Sequence, residues 1–198
     1  MECLTTKRVK ALDLLKETLV DNRSVIFSIG SKGFFRLKVW LVAHFLYSEA
    51  SRNQGVFIDS KNEGIICFFE AKDKRSAAFN IELALILFGI GPLRIVRVWQ
   101  RKREVKRFHS QWENFIHCSY LAVRKSARGH GVIFELRNAL FRFQQEKQLP
   151  ILIETTIEKN KRVYERIGFR VHEERIVSGF KTYCMVRNKT NQHAFNIA

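Results

Sequence analysis

Apolar residues follow two periods along this chain, one typical of helices and one typical of strands. In Thr5–Asp21, for example, Val9, Leu12, Leu15 and Leu19 lie on one helical face, with lysines and acidic residues opposite. The helical pattern predicts helices over Thr5–Asp21, Phe34–Ser48, Ser76–Phe88, Arg94–His109, Val132–Lys147 and Asn160–Ile167. Short apolar runs bounded by turn residues predict strands over Val25–Ile29, Val56–Ile58, Gly64–Ala71, Phe115–Val123, Ile151–Thr156, Gly168–Val171 and Lys181–Arg187.

The order of these elements divides the chain into a helical N-terminal half and a β-α-β-α-β C-terminal half. Its 198 residues are enough for one domain with a real core. No internal repeat, low-complexity tract or linker interrupts the pattern. We therefore expect a single domain over residues 1–198.

The charge balance is strongly basic, with 35 lysines and arginines against 19 acidic residues and a formal net charge of +16. Such a field attracts polyanions but does not determine the fold. Nucleic acid, an anionic membrane surface and coenzyme A all fit it, and charge alone favours a soluble basic domain over nucleic-acid binding. The basic cluster at Arg94–Arg107 is best explained as a solvated helix face. A site for an acidic acceptor, an acyl-carrier protein, RNA or anionic lipid is the second interpretation.

The cysteines and the apolar segments bear on compartment. Cys3, Cys67, Cys118 and Cys184 are widely spread and form no C-x-x-C pair, which argues against a zinc site and against a disulfide framework. Reduced thiols favour a cytoplasmic protein, and we expect no metal. The stretch Ala77–Gly91 is too short to span a membrane and carries polar residues, so it predicts a buried helix.

A turn rich in glycine and basic residues stands between a predicted strand and a predicted helix. Gly129 and Gly131 lie at the junction, where glycine lets the backbone approach a ligand closely. The start of the helix offers unpaired N–H groups and partial positive charge, which suits a diphosphate. Arg124, Lys125 and Arg128 add formal charge. The alternative is a tight turn with solvated basic residues.

This segment resembles the signature of the GNAT superfamily of coenzyme A-dependent N-acyltransferases. That signature is Arg/Gln-x-x-Gly-x-Gly/Ala, and it follows a strand that ends in Leu-x-Val. The match comprises Leu121 and Val123 at the strand end and Arg128 and Gly131 in the turn. Ile133 departs from it, because Gly or Ala is usual there. Ile133 either turns into the apolar stripe that it shares with Leu136, Leu140 and Phe143, or it weakens cofactor binding.

A second segment strengthens the resemblance. Asn160, Tyr164, Gly168 and Phe169 are spaced as in the Asn-x-x-x-Tyr-x-x-x-Gly-Phe segment of the same superfamily. Taken alone, this segment would be a short helix with Tyr164 packed and Gly168 at its C-terminal cap. The order and separation of the two signatures make coincidence a poor explanation. The resemblance covers Phe115 to about Arg187.

The resemblance implies an α/β (α+β) fold with a mixed, mostly antiparallel sheet of about seven strands flanked by helices. Residues 1–113 would form the acceptor side, and residues 114–190 would form the acetyl-CoA-binding core. The strands Phe115–Val123 and Ile151–Thr156 would splay apart at one end, with pantetheine in the gap. The implied cofactor-binding residues are Leu121, Ala122, Val123, Arg128, Gly129, His130, Gly131, Val132, Ile133 and Asn160.

The implied reaction is direct transfer of acetyl from acetyl-CoA to a primary amine. Backbone N–H groups near Leu121 or Ala122 would hold the oxyanion, and Tyr164 would protonate the leaving thiolate. His117 lies six residues before Val123, where some family members carry a catalytic carboxylate, and is the candidate base. A structural histidine is the alternative. Glu70, Glu113 and Glu154 are back-up candidates for the base.

One alternative for these residues is excluded by strand geometry, and the identity of the acceptor or partner stays open. Cys118 beside His117 does not form a nucleophilic pair, because adjacent strand residues point to opposite faces. The acceptor, whether a small-molecule or a protein amine, carries no motif. Nucleic acid is a possible but not a favoured partner. The competing hypothesis is a degenerate GNAT fold that binds nucleic acid or an acidic partner through its basic face.

Overall fold

The computed structural model describes residues 4–22, 25–26, 29–52, 54–71, 103–177 and 179–188. Its helices are α1 (Leu4–Val20), α2 (Phe35–Ser51), α3 (Val132–Lys147) and α4 (Glu158–Arg166). Its strands are β1 (Val56–Ile58), β2 (Gly64–Ala71), β3 (Phe115–Val123), β4 (Ile151–Thr155), β5 (Arg170–Val177) and β6 (Phe180–Arg187). Residues 103–109 are also helical, as predicted for the end of the basic helix. The predicted helix Ser76–Phe88, the stretch Ala77–Gly91 and residues 94–102 lie outside the described residues.

The strands form one mixed sheet in the order β1-β2-β3-β4-β6-β5. Neighbouring strands are antiparallel except at its centre, where β3 and β4 run parallel and α3 makes the crossover between them. The described residues therefore contain six strands, where about seven were predicted. No helix among these residues is long and apolar enough to cross a membrane.

The prediction of a strand at Val25–Ile29 is wrong. Ile26 N donates to Asn22 O at 2.9 Å and Gly30 N donates to Ile26 O at 2.7 Å, which is the i to i−4 pattern of a helix. The Asn22 side chain accepts from Val25 N at 3.2 Å and caps this turn. Ile29 is buried among the residues of α1 and α2, so packing and the cap override the preference of β-branched residues for strands.

The sheet is covered on both faces, since alternate strand residues point in opposite directions. On one face, residues of β2, β3, β4 and β6 pack against α3 and α4; this cluster includes Ile66, Phe68, Cys118, Ile153, Met185, Leu136, Leu140 and Tyr164. On the other face, Ile65 and Cys67 of β2 pack against α1 and α2. A smaller cluster at the β4–β6 end contains Phe108, Phe115 and Leu152.

The core stripe of α3 begins one residue earlier than predicted, and its later residues are the predicted ones. Val132 is 4% exposed and begins the stripe, and Leu136 and Leu140 continue it. Phe143 packs against the same cluster, as predicted. Ile133 is half-buried and does not enter the cluster, so its predicted place in the stripe is wrong.

Candidate active site

The centre of the sheet contains a gap between two parallel strands. β3 and β4 pair only at Ile116–Ile151 and His117–Leu152, and Ile116 N donates to Pro150 O at 2.8 Å. Within the described residues, no β4 residue pairs with β3 beyond His117, although β3 stays paired with β2 as far as Val123. The predicted splay of these two strands is therefore confirmed. It leaves the backbone of β3 around Leu121 open on its β4 side.

The glycine turn closes one end of this gap. β3 ends at Val123, a short 3-10 turn follows, and Gly129 and Gly131 adopt φ of 92° and 82°. Gly131 is the residue at the N-cap of α3. In this left-handed region a side chain is strained even where there is space, so the turn requires glycine. The structure gives no intramolecular acceptor, among the described residues, for the backbone N–H groups of Gly129, Gly131, Val132 and Ile133. Several donors at the helix start are thus free for an anion.

The turn between β1 and β2 supports the start of α3. Asp59 is 3% exposed, and its Oδ1 accepts from Glu63 N at 2.7 Å and Gly64 N at 2.5 Å. Glu135, in the first turn of α3, accepts from Ser60 N at 3.0 Å and Ser60 Oγ at 3.1 Å. These contacts hold the N-terminus of α3 against the sheet. No local pattern in the sequence indicates the Glu135–Ser60 contacts, because the partners lie 75 residues apart.

The basic residues of the turn are not equivalent. Arg124 pairs with Glu17 of α1 at 3.0 Å, and Lys125 pairs with Asp21, the residue after α1, at 2.7 Å. These pairs are exposed and contribute little stability, but they draw both side chains toward α1. Arg128 is exposed, and its Nε donates to Val123 O at 3.4 Å. Of the three, Arg128 alone has no ion pair within the part of the chain that the structure describes. His130 is also exposed.

Tyr164 lies beside the gap on the α3–α4 face. It belongs to α4, is 7% exposed and packs against Phe169 in the cluster that contains Cys118 of β3. Its hydroxyl has no hydrogen-bond partner among the described residues. Burial raises the pKa of Tyr164, and Cys118 and Tyr120 add to that rise. The phenol therefore keeps its proton at neutral pH. Asn160, one turn earlier in α4, is half-buried.

On the opposite face, two histidines share one carboxylate. His117 Nε2 lies 3.0 Å from Glu154 Oε2, and His109 Nε2 lies 2.6 Å from Glu154 Oε1. The side chains of His117, His109 and Glu154 are 15%, 18% and 12% exposed. The β3–β4 register, continued past Leu152, would set Glu154 level with Ser119 inside the gap. The three side chains therefore lie where the strands part.

Two members of this trio were predicted from the sequence as candidates for the base, and the third was not. His117 and Glu154 were separate candidates for the base, and the structure joins them. His109 was not a candidate, because it lies 45 residues from Glu154 and no local pattern links the two. The other carboxylates lie elsewhere: Glu113 is exposed, and Glu70 pairs with Lys147 at 3.5 Å.

The electrostatics of the trio distinguish its members. Burial alone would raise the pKa of Glu154, but the positive charge and hydrogen bonds of His117 and His109 hold it well below its ordinary value. A carboxylate with so low a pKa is a weak base. Glu154 is therefore suited to accept hydrogen bonds rather than to remove a proton from an amine.

His109, His117 and Glu154 are also residue types that bind metal ions. Two histidines and one glutamate are ligands that zinc accepts, and these three form the one such group in the described ranges. Donors at a tetrahedral zinc lie about 3.3 Å apart, given bond lengths of about 2.0–2.1 Å. The 2.6 Å between His109 and Glu154 is shorter, and each imidazole meets its own carboxylate oxygen. The geometry is that of hydrogen bonds.

Cys118 does not join His117 as a nucleophile. It is buried in the cluster on the α3–α4 face, whereas His117 points to the other face. Burial is the main cause that raises the pKa of Cys118, so the group stays a thiol. The predicted exclusion of a cysteine–histidine pair is confirmed. Cys67 and Cys184 are likewise free and buried.

A mixed sheet with one parallel pair at its centre, splayed beside a glycine turn, defines the GNAT acyltransferase fold, and solved structures share it. "Histone acetyltransferase HPA2 and related acetyltransferase" from Corynebacterium glutamicum superposes with a TM-score of 0.65 at 16% identity, covering 96% of this chain and 95% of that one. Arylalkylamine N-acetyltransferase 2 from Aedes aegypti gives 0.67 at 10% identity, covering 96% and 98%. The NatC complex bound to Gag peptide and CoA gives 0.53 at 13% identity, covering 96% and 97%.

Likeness at these identities establishes the fold alone, because one fold hosts many functions. No protein-family model matches the chain, and no curated protein matches it. The fold predicted from the two signatures is confirmed.

Proposed function

We propose that this protein is an N-acetyltransferase that transfers acetyl from acetyl-CoA directly to a primary amine. The observation that carries the proposal is the convergence of three features on the β3–β4 gap. The free amides at Gly131 close one end of it, Tyr164 lies on one face, and His117 lies on the other. Residues 114–190 would form the cofactor-binding core and residues 1–113 the acceptor side.

The cofactor-binding part of the proposal follows the backbone. The free amides of Gly129, Gly131, Val132 and Ile133 would hold the diphosphate, since a helix N-terminus favours negative charge. Because this contact would use the main chain, Ile133 could still contribute its N–H group, although its half-buried side chain lies outside the core stripe. The remaining members of the cofactor set are Arg128 and His130 beside the phosphates, Leu121, Ala122 and Val123 along the pantetheine, and Asn160 as its side-chain partner.

The chemistry then divides between the two faces. His117 removes a proton from the acceptor ammonium, and the amine lone pair forms the new C–N bond at the thioester carbonyl. Backbone N–H groups near Leu121 and Ala122 stabilise the oxyanion. As the C–S bond breaks, the electron pair goes to sulfur, and Tyr164 donates its proton there. The nitrogen, which still carries an extra proton after the C–N bond forms, loses it to water as the amide forms, and a proton from solvent restores the Tyr164 phenol. Because burial raises the pKa of Tyr164, the phenol carries the proton that this step transfers.

An amine acceptor is consistent with the names of the similar solved structures and with the residues of the site. The Aedes aegypti neighbour is named for arylalkylamines, and the NatC complex holds a peptide together with CoA. Both small-molecule and protein amines therefore stay within the proposal, as does a cytoplasmic location. The binding-module hypothesis rests on the basic face and on the departure at Ile133, and the neighbours give it no support.

The direct test is release of free thiol from acetyl-CoA in the presence of a panel of amines. The panel contains an arylalkylamine, a polyamine, an amino acid and an N-terminal peptide, each with an enzyme-free control. Amine-dependent thiol release supports the proposal. Absence of release with every amine, together with salt-sensitive binding of an oligonucleotide, would favour the binding module instead.

A further inference from the structure

The two histidines meet Glu154 in a way that specifies where their protons are. A neutral imidazole carries one proton, on either Nδ1 or Nε2. An ionised carboxylate has only acceptor sites, and Glu154 is ionised at neutral pH because its pKa is low. Each Nε2 must therefore be the donor in its contact of 2.6 or 3.0 Å. Nδ1 is then the nitrogen with the free lone pair in both rings.

The surroundings fix the ring planes as well as the protons. Phe69 of β2 meets the ring of His117 edge-on, with centroids 5.2 Å apart. Phe115 and Phe108 lie 4.8 and 5.6 Å from the ring of His109. Because His109 occupies the second oxygen of Glu154, the carboxylate cannot rotate away from His117 without breaking a second hydrogen bond.

We propose that Glu154 and His109 are positioning residues that hold His117 as its Nε2–H tautomer, which leaves Nδ1 of His117 to accept the acceptor's proton. This inference rests on the proposed acetyl transfer. The proton moves from the ammonium to Nδ1, and the resulting imidazolium lies beside the Glu154 carboxylate, which offsets its charge. The same logic applies wherever a buried carboxylate orients a catalytic histidine.

Other ionisable groups around the trio are few among the described residues. Cys184, opposite Glu154 in the sheet, is a thiol whose pKa burial raises to about 12. His172 and Glu173 of β5 both hydrogen-bond to Gln111, and the ring of His172 lies 5.9 Å from that of Phe108. Glu154 is thus the one carboxylate in contact with His117 in the described ranges.

Long-range proton–nitrogen NMR on protein labelled with 15N-histidine tests the tautomers without reference to activity. In their neutral forms, we expect His117 and His109 of the wild type to be protonated at Nε2. E154Q offers one acceptor oxygen for two donors, so at least one ring should lose its fixed tautomer. Wild-type His117 protonated at Nδ1, or unchanged tautomers in E154Q, would overturn the inference.

Steady-state kinetics of variants at His109 and His117 provide a second test. H109A should lower kcat while the KM for acetyl-CoA is unchanged, and H109Q should restore part of the loss because its amide can still donate to Glu154. The loss in H117A should be larger, within the roughly 10²–10⁴-fold expected of a general base. Equal losses in H109A and H109Q, or loss of wild-type turnover in EDTA, would contradict a hydrogen-bonded positioning role. If the tautomers are as expected but no amine releases thiol, the proposed function fails and not the geometry.

Discussion

A Cβ placed on Gly64 would lie 2.6 Å from Cγ1 of Val132, which is closer than a Cβ approaches another heavy atom. The first residue of α3 can therefore pack this closely on β2 only because position 64 is a glycine. The same Cβ would lie 3.0 Å from Cδ1 of Leu136. Gly64 thereby lets the start of α3, whose amides form the proposed diphosphate site, lie directly on the sheet. A glycine far from the signatures in sequence thus sets the position of the glycine turn.

G64A should therefore destabilise the protein, by about 1–3 kcal/mol, the usual cost of overpacking a core. Urea unfolding of G64A, V132A and the double variant measures it. V132A removes the methyl group that the new Cβ would strike, so the double variant should lose less than the sum of the single losses. Strictly additive losses would show that Val132 does not restrict Gly64.

Y164F should slow turnover more than it weakens acetyl-CoA affinity, because it removes the proton donor but keeps the packing of the ring. Pre-steady-state thiol release and a binding isotherm separate the two effects. Y183F is the matched control: its hydroxyl donates to Glu158, and its loss should leave the chemical step unchanged. Unchanged turnover in Y164F would remove Tyr164 from the acid role.

E154Q should alter the response of stability to acid. The pKa of Glu154 is lowered in the folded state, so its ionised form contributes stability above the ordinary pKa of a glutamate, about 4.3. That contribution is lost as the pH falls from there through the lower, folded-state pKa. The difference in unfolding free energy between wild type and E154Q should therefore be present at pH 6 and shrink below about pH 4. A difference that is constant across this range would contradict the depressed pKa.

Much of the C-terminal half could be predicted because its signals are local. The bounds of β3, Phe115–Val123, and of α3, Val132–Lys147, agree with the sequence pattern. There, turn glycines and apolar periodicity specify the same elements. Val25–Ile29 failed because a side-chain cap from Asn22 competes with β-propensity, and the apolar run alone does not reveal the cap.

The candidate site was predictable only in part, for a different reason. Gly131, Tyr164 and His117 lie in or near recognisable motifs, whereas the contact of His109 with Glu154 joins residues 45 positions apart. The ion pairs of Arg124 with Glu17 and of Lys125 with Asp21 are long-range in the same sense. Such contacts are set by the tertiary fold, and a single sequence contains no local record of them.

Calorimetric titration of acetyl-CoA into wild type, G131V and G179V tests the central claim most directly. Gly131 and Gly179 both have φ of 82° and room for a Cβ, so valine imposes similar backbone strain, roughly 1–3 kcal/mol, at either position. Only Gly131 lies at the start of α3. We predict that wild type and G179V bind acetyl-CoA and that folded G131V does not. Binding by G131V equal to that of G179V, or no binding by the wild type, would contradict the assignment of this turn as the diphosphate site.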